Sequence, residues 1–220
     1  MVVAAVPVKD LVNAKRRLLR VLAADERMAL ARAMLSDVLR AFQPTGIDVV
    51  WVVTRDSEVA AIAQTLGAHV LAEAENRGHT TAVALAQARA RQAGARLFAT
   101  VPGDVPAVTA AEIRTLVETG AGHPRRAVFV PSRSGLGTNG VAVAPPDAMP
   151  LTFGEPSFAN HLAVARERGF IPHVVKLRGL GLDVDDAEDL HALVAEAPDT
   201  ESGRLVATWA RAGRLAAPAG

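Results

Sequence analysis

Three aspartates stand where the chain turns sharply. Asp104 lies between Pro102 and Pro106, just after the apolar run Leu97-Phe98-Ala99-Thr100-Val101, and Asp183 and Asp185 flank Val184 in Leu182-Asp183-Val184-Asp185-Asp186. A short apolar run closed by turn residues predicts a buried strand, so Asp104 falls at that strand's carboxyl end, the edge where open α/β sheets bind ligands. The two prolines fix φ and bias their predecessors to extended backbone, which aims the carboxylate. At this one position an ordinary turn aspartate would look the same. The doublet further on favours the functional reading, because residues two apart face the same way in an extended chain. Carboxylates without a histidine or cysteine partner suit magnesium or manganese rather than zinc. Magnesium held this way completes its shell with water and substrate phosphates, and the substrate class predicted is a nucleoside triphosphate.

A triphosphate needs counter-charge. The loop after the first expected strand, Val2–Val8, carries Lys9, Lys15, Arg16, Arg17 and Arg20. Such a loop arrives at the ligand edge, so Lys15, Arg17 and their neighbours form a candidate phosphate clamp, although a solvated basic face has the same composition. Between Lys9 and Arg40 there are eight basic and four acidic residues, whereas Asp183 to Asp189 holds five acids in seven positions. No G-x-x-x-x-G-K-[ST] loop occurs, which excludes a P-loop enzyme. Gly135, Gly137 and Gly140 satisfy G-x-G-x-x-G, but Val141-Ala142-Val143 and Pro145-Pro146 follow them. A dinucleotide fingerprint must open a helix, so that reading is rejected, while the turn can still present backbone N–H groups to an anion.

The elements that must position these residues alternate. After the first strand, a stripe of Met28, Ala31, Leu35, Val38 and Phe42 predicts a helix over 25–42. Strands are expected at 48–54 and 69–72, with a helix over 58–66 ended by Gly67 between them. Asn76-Arg77-Gly78-His79-Thr80-Thr81 leads into an alanine-rich helix ending near Gln92. Thr109 and Glu112 have capping-box spacing for a helix to about Gly120, and Ser157 can cap one running to about Arg168, whose N-terminus suits a carboxylate or phosphate. Further strands are read at 127–131, 141–143 and 171–177, further helices at 187–195 and 205–210, and a frayed tail at 216–220. The alternation predicts an α/β fold, a three-layer α/β/α sandwich with a mostly parallel sheet and a hairpin near Gly140.

Composition bounds the remaining classes. At 220 residues and 50% hydrophobic, with no linker-like stretch, the chain is read as one domain over 1–220. A net charge of +1 gives no support for nucleic acid or membrane as a partner. Cysteine is absent, excluding disulfides and thiolate chemistry, and the N-terminal apolar run is too short to span a bilayer. A cytoplasmic protein is expected.

These pieces, in this order, resemble the guanylyltransferases of coenzyme F420 biosynthesis, which act on 2-phospholactate, phosphoenolpyruvate or 3-phosphoglycerate and share the fold of the molybdenum-cofactor guanylyltransferases. The resemblance runs through Pro7-Val8-Lys9, Ala14-Lys15-Arg16-Arg17-Leu18, Pro102-Gly103-Asp104-Val105-Pro106, Pro131-Ser132-Arg133, Gly137-Thr138-Asn139, Phe153-Gly154 through Ser157-Phe158 with His161, and Asp183-Val184-Asp185 with Glu188-Asp189-Leu190. It covers nearly the whole chain. The chain departs from the family at Gly78-His79-Thr80, where Gly-Leu-Asn is usual, and at Gly103, where alanine is usual. The resemblance implies a nucleotide-diphospho-sugar transferase-like nucleotidyltransferase domain with Mg2+ on Asp104, Asp183 and Asp185. It implies GTP near Lys9, Lys15, Arg17, Gly78 and Thr80, a small phosphorylated carboxylic acid near Thr138, Gly154 and Ser157, and a homodimer. Lys15, Arg17 and Asp104 are then the catalytic candidates.

The expected reaction needs little from a side-chain base. A phosphate monoester has its second pKa near ~6 and is mostly a dianion at neutral pH. It can attack the α-phosphorus of GTP in line and expel pyrophosphate, with positioning and charge neutralisation supplying the catalysis. Two other readings are carried: the same transfer onto a sugar phosphate or a molybdopterin, and a non-catalytic nucleotide-binding regulatory subunit.

Overall fold

Val2–Pro7 is buried at every position, and that forces strand β1 into the middle of a sheet covered on both faces. The computed structural model describes residues 1–43, 45–75 and 77–215; the tail expected to fray, and Asn76 of the segment before the alanine-rich helix, lie outside them. In chain order β1 is followed by a 3-10 helix at Arg16–Arg20, α1 (Ala24–Phe42), β2 (Val49–Thr54), α2 (Ser57–Thr65), β3 (His69–Ala72), α3 (His79–Gln92), β4 (Leu97–Thr100) and α4 (Ala110–Ala121). Then come β5 (Arg126–Pro131), β6 (Thr138–Ala144), α5 (Ser157–Glu167), β7 (His173–Val174), α6 (Ala187–Glu196) and α7 (Glu201–Arg211).

The seven strands lie in the order β3-β2-β1-β4-β6-β5-β7, and only β6 runs against its neighbours. The mostly parallel α/β sandwich is therefore as expected, with β5 and β6 as its hairpin. Alternate residues of β1 feed opposite cores. Val2, Ala4 and Val6 pack with Leu35 and Val38 of α1, Val59 of α2 and Leu116 of α4, while Val3 and Ala5 pack with Val83 and Ala86 of α3 and with Ala165 of α5. Each fully buried Val or Leu in these layers contributes about 1.5–3 kcal/mol.

A third apolar cluster bears on function. Leu18 from the 3-10 helix and Val184 from the acidic loop are both fully buried in it, against Leu30 and Met34 of α1, Leu190 and Leu193 of α6 and Trp209 of α7. One small core thus anchors the basic segment and the acidic segment side by side. The expected capping box forms, Thr109 Oγ1 accepting from the Glu112 N–H at 3.2 Å while Glu112 accepts from the Thr109 N–H at 3.0 Å.

Three expectations are corrected. Ser157 does not cap α5: Pro156 stands at the cap position, no side-chain cap bond forms, and the Ser157 hydroxyl instead lies 3.4 Å from Thr138 Oγ1. The strand read at 171–177 is only His173–Val174, an edge pairing with β5 beside exposed Ile171. The strand read from Val141 begins at Thr138, because the polar side chains of Thr138 and Asn139 are buried and hydrogen-bonded within the fold. No helix follows the glycine turn, in keeping with rejection of the dinucleotide fingerprint. Among the described residues no helix is long and apolar enough to cross a membrane.

Candidate active site

Asp104 leaves β4 on the loop at the sheet's carboxyl edge, and its carbonyl accepts the Val184 N–H at 3.1 Å. That bond ties the two acidic loops together. Between them stands Lys15, with Nζ 2.7 Å from Asp104 Oδ2 and 3.0 Å from Asp185 Oδ1. Its side chain is only 7% exposed. Lys15 is the one non-glycine residue with positive φ among those described, at φ 52° and ψ 45°. That left-handed conformation costs about 1–2 kcal/mol, and such outliers gather at working sites. Arg17 reaches Asp185 Oδ2 at 3.3 Å from solvent.

The charges stabilise one another. Burial works against the Lys15 ammonium, but Asp104 and Asp185 outweigh it and hold its pKa above the usual lysine value. Burial likewise opposes the Asp104 carboxylate, and Lys15 outweighs it, holding the pKa below the usual range. Asp183 goes the other way: burial raises its pKa, a hydrogen bond from Asn139 Nδ2 at 3.0 Å opposes the rise, and neighbouring Asp104 and Asp185 add to it. Asp183 thus sits beside the other two but pairs with Asn139 rather than with Lys15.

The expected metal set can be tested on this geometry. Among the described residues, no three carboxylate or imidazole side chains surround a common point, so a complete cage of Asp104, Asp183 and Asp185 is not formed. The donors still fit a hard cation, since two carboxylates already hold one in the Lys15 ammonium. Magnesium takes one or two carboxylates plus water and phosphate, which this arrangement can supply.

In front of the cluster is a cavity of about 710 Å³ lined by Pro7–Leu11, Lys15, Arg17, Gly78, His79 and Pro102–Asp104, among others. Lys9 is exposed on its wall. Thr80, expected at the nucleotide, has its hydroxyl engaged with the Phe153 backbone, accepting the N–H at 2.9 Å. Its neighbour His79 packs on Phe153 at 4.3 Å between ring centroids and has a buried Nε2 without a hydrogen-bond partner.

Thr138 and Ser157, the expected acceptor residues, lie together with 3.4 Å between their hydroxyls, and Thr138 Oγ1 lies 2.9 Å from His161 Nδ1. Gly154, with φ 108°, precedes α5 on the same loop. None of these three expected acceptor residues lines the large cavity, so the structure does not bring them together with Lys15 and Asp104 around it. β6 links the two groups: Thr138 turns to His161, and Asn139 to Asp183. Sequence reasoning gave no role to Asn139, His161 or His79; a polar Thr-Asn pair directly before an apolar strand was the available signal.

A family model described as "Guanylyl transferase CofC like" matches residues 2–207. The chain belongs to this family. Among its CofC-like relatives, a phosphoenolpyruvate guanylyltransferase from Conexibacter woesei is 40% identical, with 86% of each chain covered. A 2-phospho-L-lactate guanylyltransferase from Methanothermobacter thermautotrophicus is 34% identical, covering 90% of this chain and 86% of that one. Among solved structures, a Desulfovibrio desulfuricans G20 protein described as a nucleotide-diphospho-sugar transferase superposes with a TM-score of 0.76 at 15% identity, covering 96% of this chain and 95% of that one. A nucleotidyl transferase from Methanothermobacter gives a TM-score of 0.60 at 19% identity, covering 88% and 95%. The likeness to these structures places this CofC-like chain in the nucleotide-diphospho-sugar transferase fold.

Proposed function

We propose that this CofC-like protein, as one domain over 1–220, transfers GMP from GTP to the phosphate of a phosphorylated three-carbon acid and releases pyrophosphate, the step of coenzyme F420 biosynthesis that its family resemblance implies. Phosphoenolpyruvate is the acceptor we favour, because the five relatives at 36–40% identity carry that substrate in their names. The observation that carries the reading is Lys15 bridging Asp104 and Asp185 at the mouth of a cavity of about 710 Å³, large enough for a nucleotide.

In this reading the triphosphate enters along Lys9, Lys15 and Arg17, whose charge offsets its own. Asp104 and Asp185, with Asp183 beside them, would hold a Mg2+ ion that supplies charge neutralisation across the phosphates. The acid sits at the Thr138, Gly154 and Ser157 end, presenting its phosphate towards the α-phosphorus. A bond forms between an acceptor phosphate oxygen and that phosphorus as the bond to the β-phosphate oxygen breaks, and pyrophosphate leaves. No side chain has to remove a proton, because the attacking group is already ionised at neutral pH. Lys15 and Arg17 then stabilise charge building on the leaving group. A non-catalytic subunit would not need these charges gathered on one edge.

Pyrophosphate release tests the reading. The purified protein is mixed with GTP, MgCl2 and phosphoenolpyruvate, 2-phospholactate or 3-phosphoglycerate in turn, with ATP and CTP in place of GTP as controls. Release that requires both GTP and one of the acids is expected, fastest with phosphoenolpyruvate; no release with any acid overturns it.

A further inference from the structure

Two hydrogen bonds to His161, and one between Thr138 and Ser157, fix where the protons lie at the acceptor end. The Thr152 backbone N–H reaches His161 Nε2 at 3.0 Å. A backbone N–H can only donate, so Nε2 carries a lone pair and the ring's proton sits on Nδ1. Nδ1 is 2.9 Å from Thr138 Oγ1, so the imidazole donates and the hydroxyl oxygen accepts. The ring cannot easily turn away from this arrangement. It stacks on Phe129 with centroids 5.6 Å apart and planes 10° from parallel, and Phe153 closes its other side edge-on at 5.1 Å. Burial, the larger cause, and nearby His79 lower its pKa to about 4, which keeps it neutral at the pH of the reaction.

The rest follows by counting protons. Thr138 and Ser157 hold two hydroxyl protons, and one of them lies in the 3.4 Å bond between the two oxygens. Were His161 to present a lone pair to Thr138, that second proton would turn inward to the ring. Because His161 donates instead, the second proton is left to point out of the network.

We propose that His161 is a positioning residue for the acceptor acid: held as the Nδ1–H tautomer by Thr152, it obliges the Thr138–Ser157 pair to offer its remaining O–H to the acid's carboxylate. This deepens the proposed reaction and rests on it. The carboxylate is the group that suits the place. The network is made of two hydroxyls and a neutral imidazole, beside the first turn of α5, which carries no acidic residue and whose helix dipole favours negative charge. The cations Lys15 and Arg17, fitted to phosphate, line the large cavity instead.

The test uses the intact enzyme, His161→Leu and His161→Asn, with GTP saturating and phosphoenolpyruvate varied. Leucine fills the space without donating; asparagine sets its amide N–H2 near the place of Nδ1 and can restore the donation to Thr138. His161→Leu is expected to raise KM for the acid about tenfold, the value of one hydrogen bond to a charged group, with kcat and KM for GTP changed less than about twofold. His161→Asn is expected to recover most of the loss. Nitrogen-15 NMR of the parent protein, which needs no variant to fold, should show His161 as the Nδ1–H tautomer. An Nε2–H tautomer in the parent, an unchanged KM for the acid in folded His161→Leu, or a parallel rise in KM for GTP each overturns the inference. A parent inactive with every acid overturns the acceptor reading and the inference together, and is told apart because the parent is measured first.

Discussion

Lys15 Nζ sits 2.7 Å from Asp104 Oδ2 although 89 residues separate them in sequence. The ammonium thus occupies the position in which a bound cation would serve the same carboxylates, and Asp185 shares it. In the proposed reaction, a divalent ion would compete with Lys15 for Asp104 and Asp185.

Replacing Lys15 by methionine keeps the length of the stem and removes the charge. Turnover should fall roughly a hundredfold or more, as for loss of a group that stabilises transferred charge. The freed carboxylates should also bind Mn2+ without nucleotide more tightly than the parent does, as measured by isothermal titration or electron paramagnetic resonance. Equal Mn2+ affinity in parent and variant would contradict the competition.

Gly179 packs against the segment that leads into α4. Its N–H donates to Glu112 Oε1 at 2.8 Å, and a Cβ at this position would overlap the Ala107 carbonyl oxygen. Gly179→Ala should therefore destabilise the fold by about 1–3 kcal/mol. For a chain of this size that lowers Tm by roughly 2–4 °C per kcal/mol, which calorimetry can read. An unchanged Tm would mean that Gly179 and the Ala107 carbonyl are not in such contact.

His79 and His161 both have pKa values lowered from 6.5 to about 4, chiefly by burial. Between those values the unfolded chain binds protons that the folded chain does not, so stability rises with pH across the window and is lost on acidification. By pH 5 the loss should reach about 2 kcal/mol for each imidazole, at about 1.4 kcal/mol per pH unit. Urea unfolding at pH 7.5 and pH 5.0 measures it, and His79→Leu should show a smaller difference than the parent. A flat stability across this range would refute the neutral, buried state of both rings.

The sheet was legible because its strands announce themselves. Val2–Pro7 and Leu97–Thr100 are apolar runs with no polar break, and Thr109 and Glu112 spell their own capping box. The 3-10 helix at Arg16–Arg20 was not legible, since one buried residue, Leu18, is all that distinguishes it from a solvated basic run. Lys15 was named as a phosphate ligand, but its burial between two aspartates depends on Leu18 and Val184 meeting in a core shared with α6 and α7, a long-range convergence that local spacing does not encode. Edge strand β7 shrank to two residues because Ile171 and Val174 stay exposed there rather than packing into the sheet. The Thr138–His161 bond joins residues 23 apart and became visible only with coordinates.

The assignment of Asp104 to nucleotidyl transfer is tested most directly by the initial rate of pyrophosphate release from Asp104→Asn with GTP, magnesium and phosphoenolpyruvate, taken beside its melting temperature. Asparagine keeps the shape and can still accept from Lys15, but it removes the charge that the site uses. A folded variant with less than about 1% of the parent rate is the predicted result. A folded variant turning over at the parent rate would contradict the account.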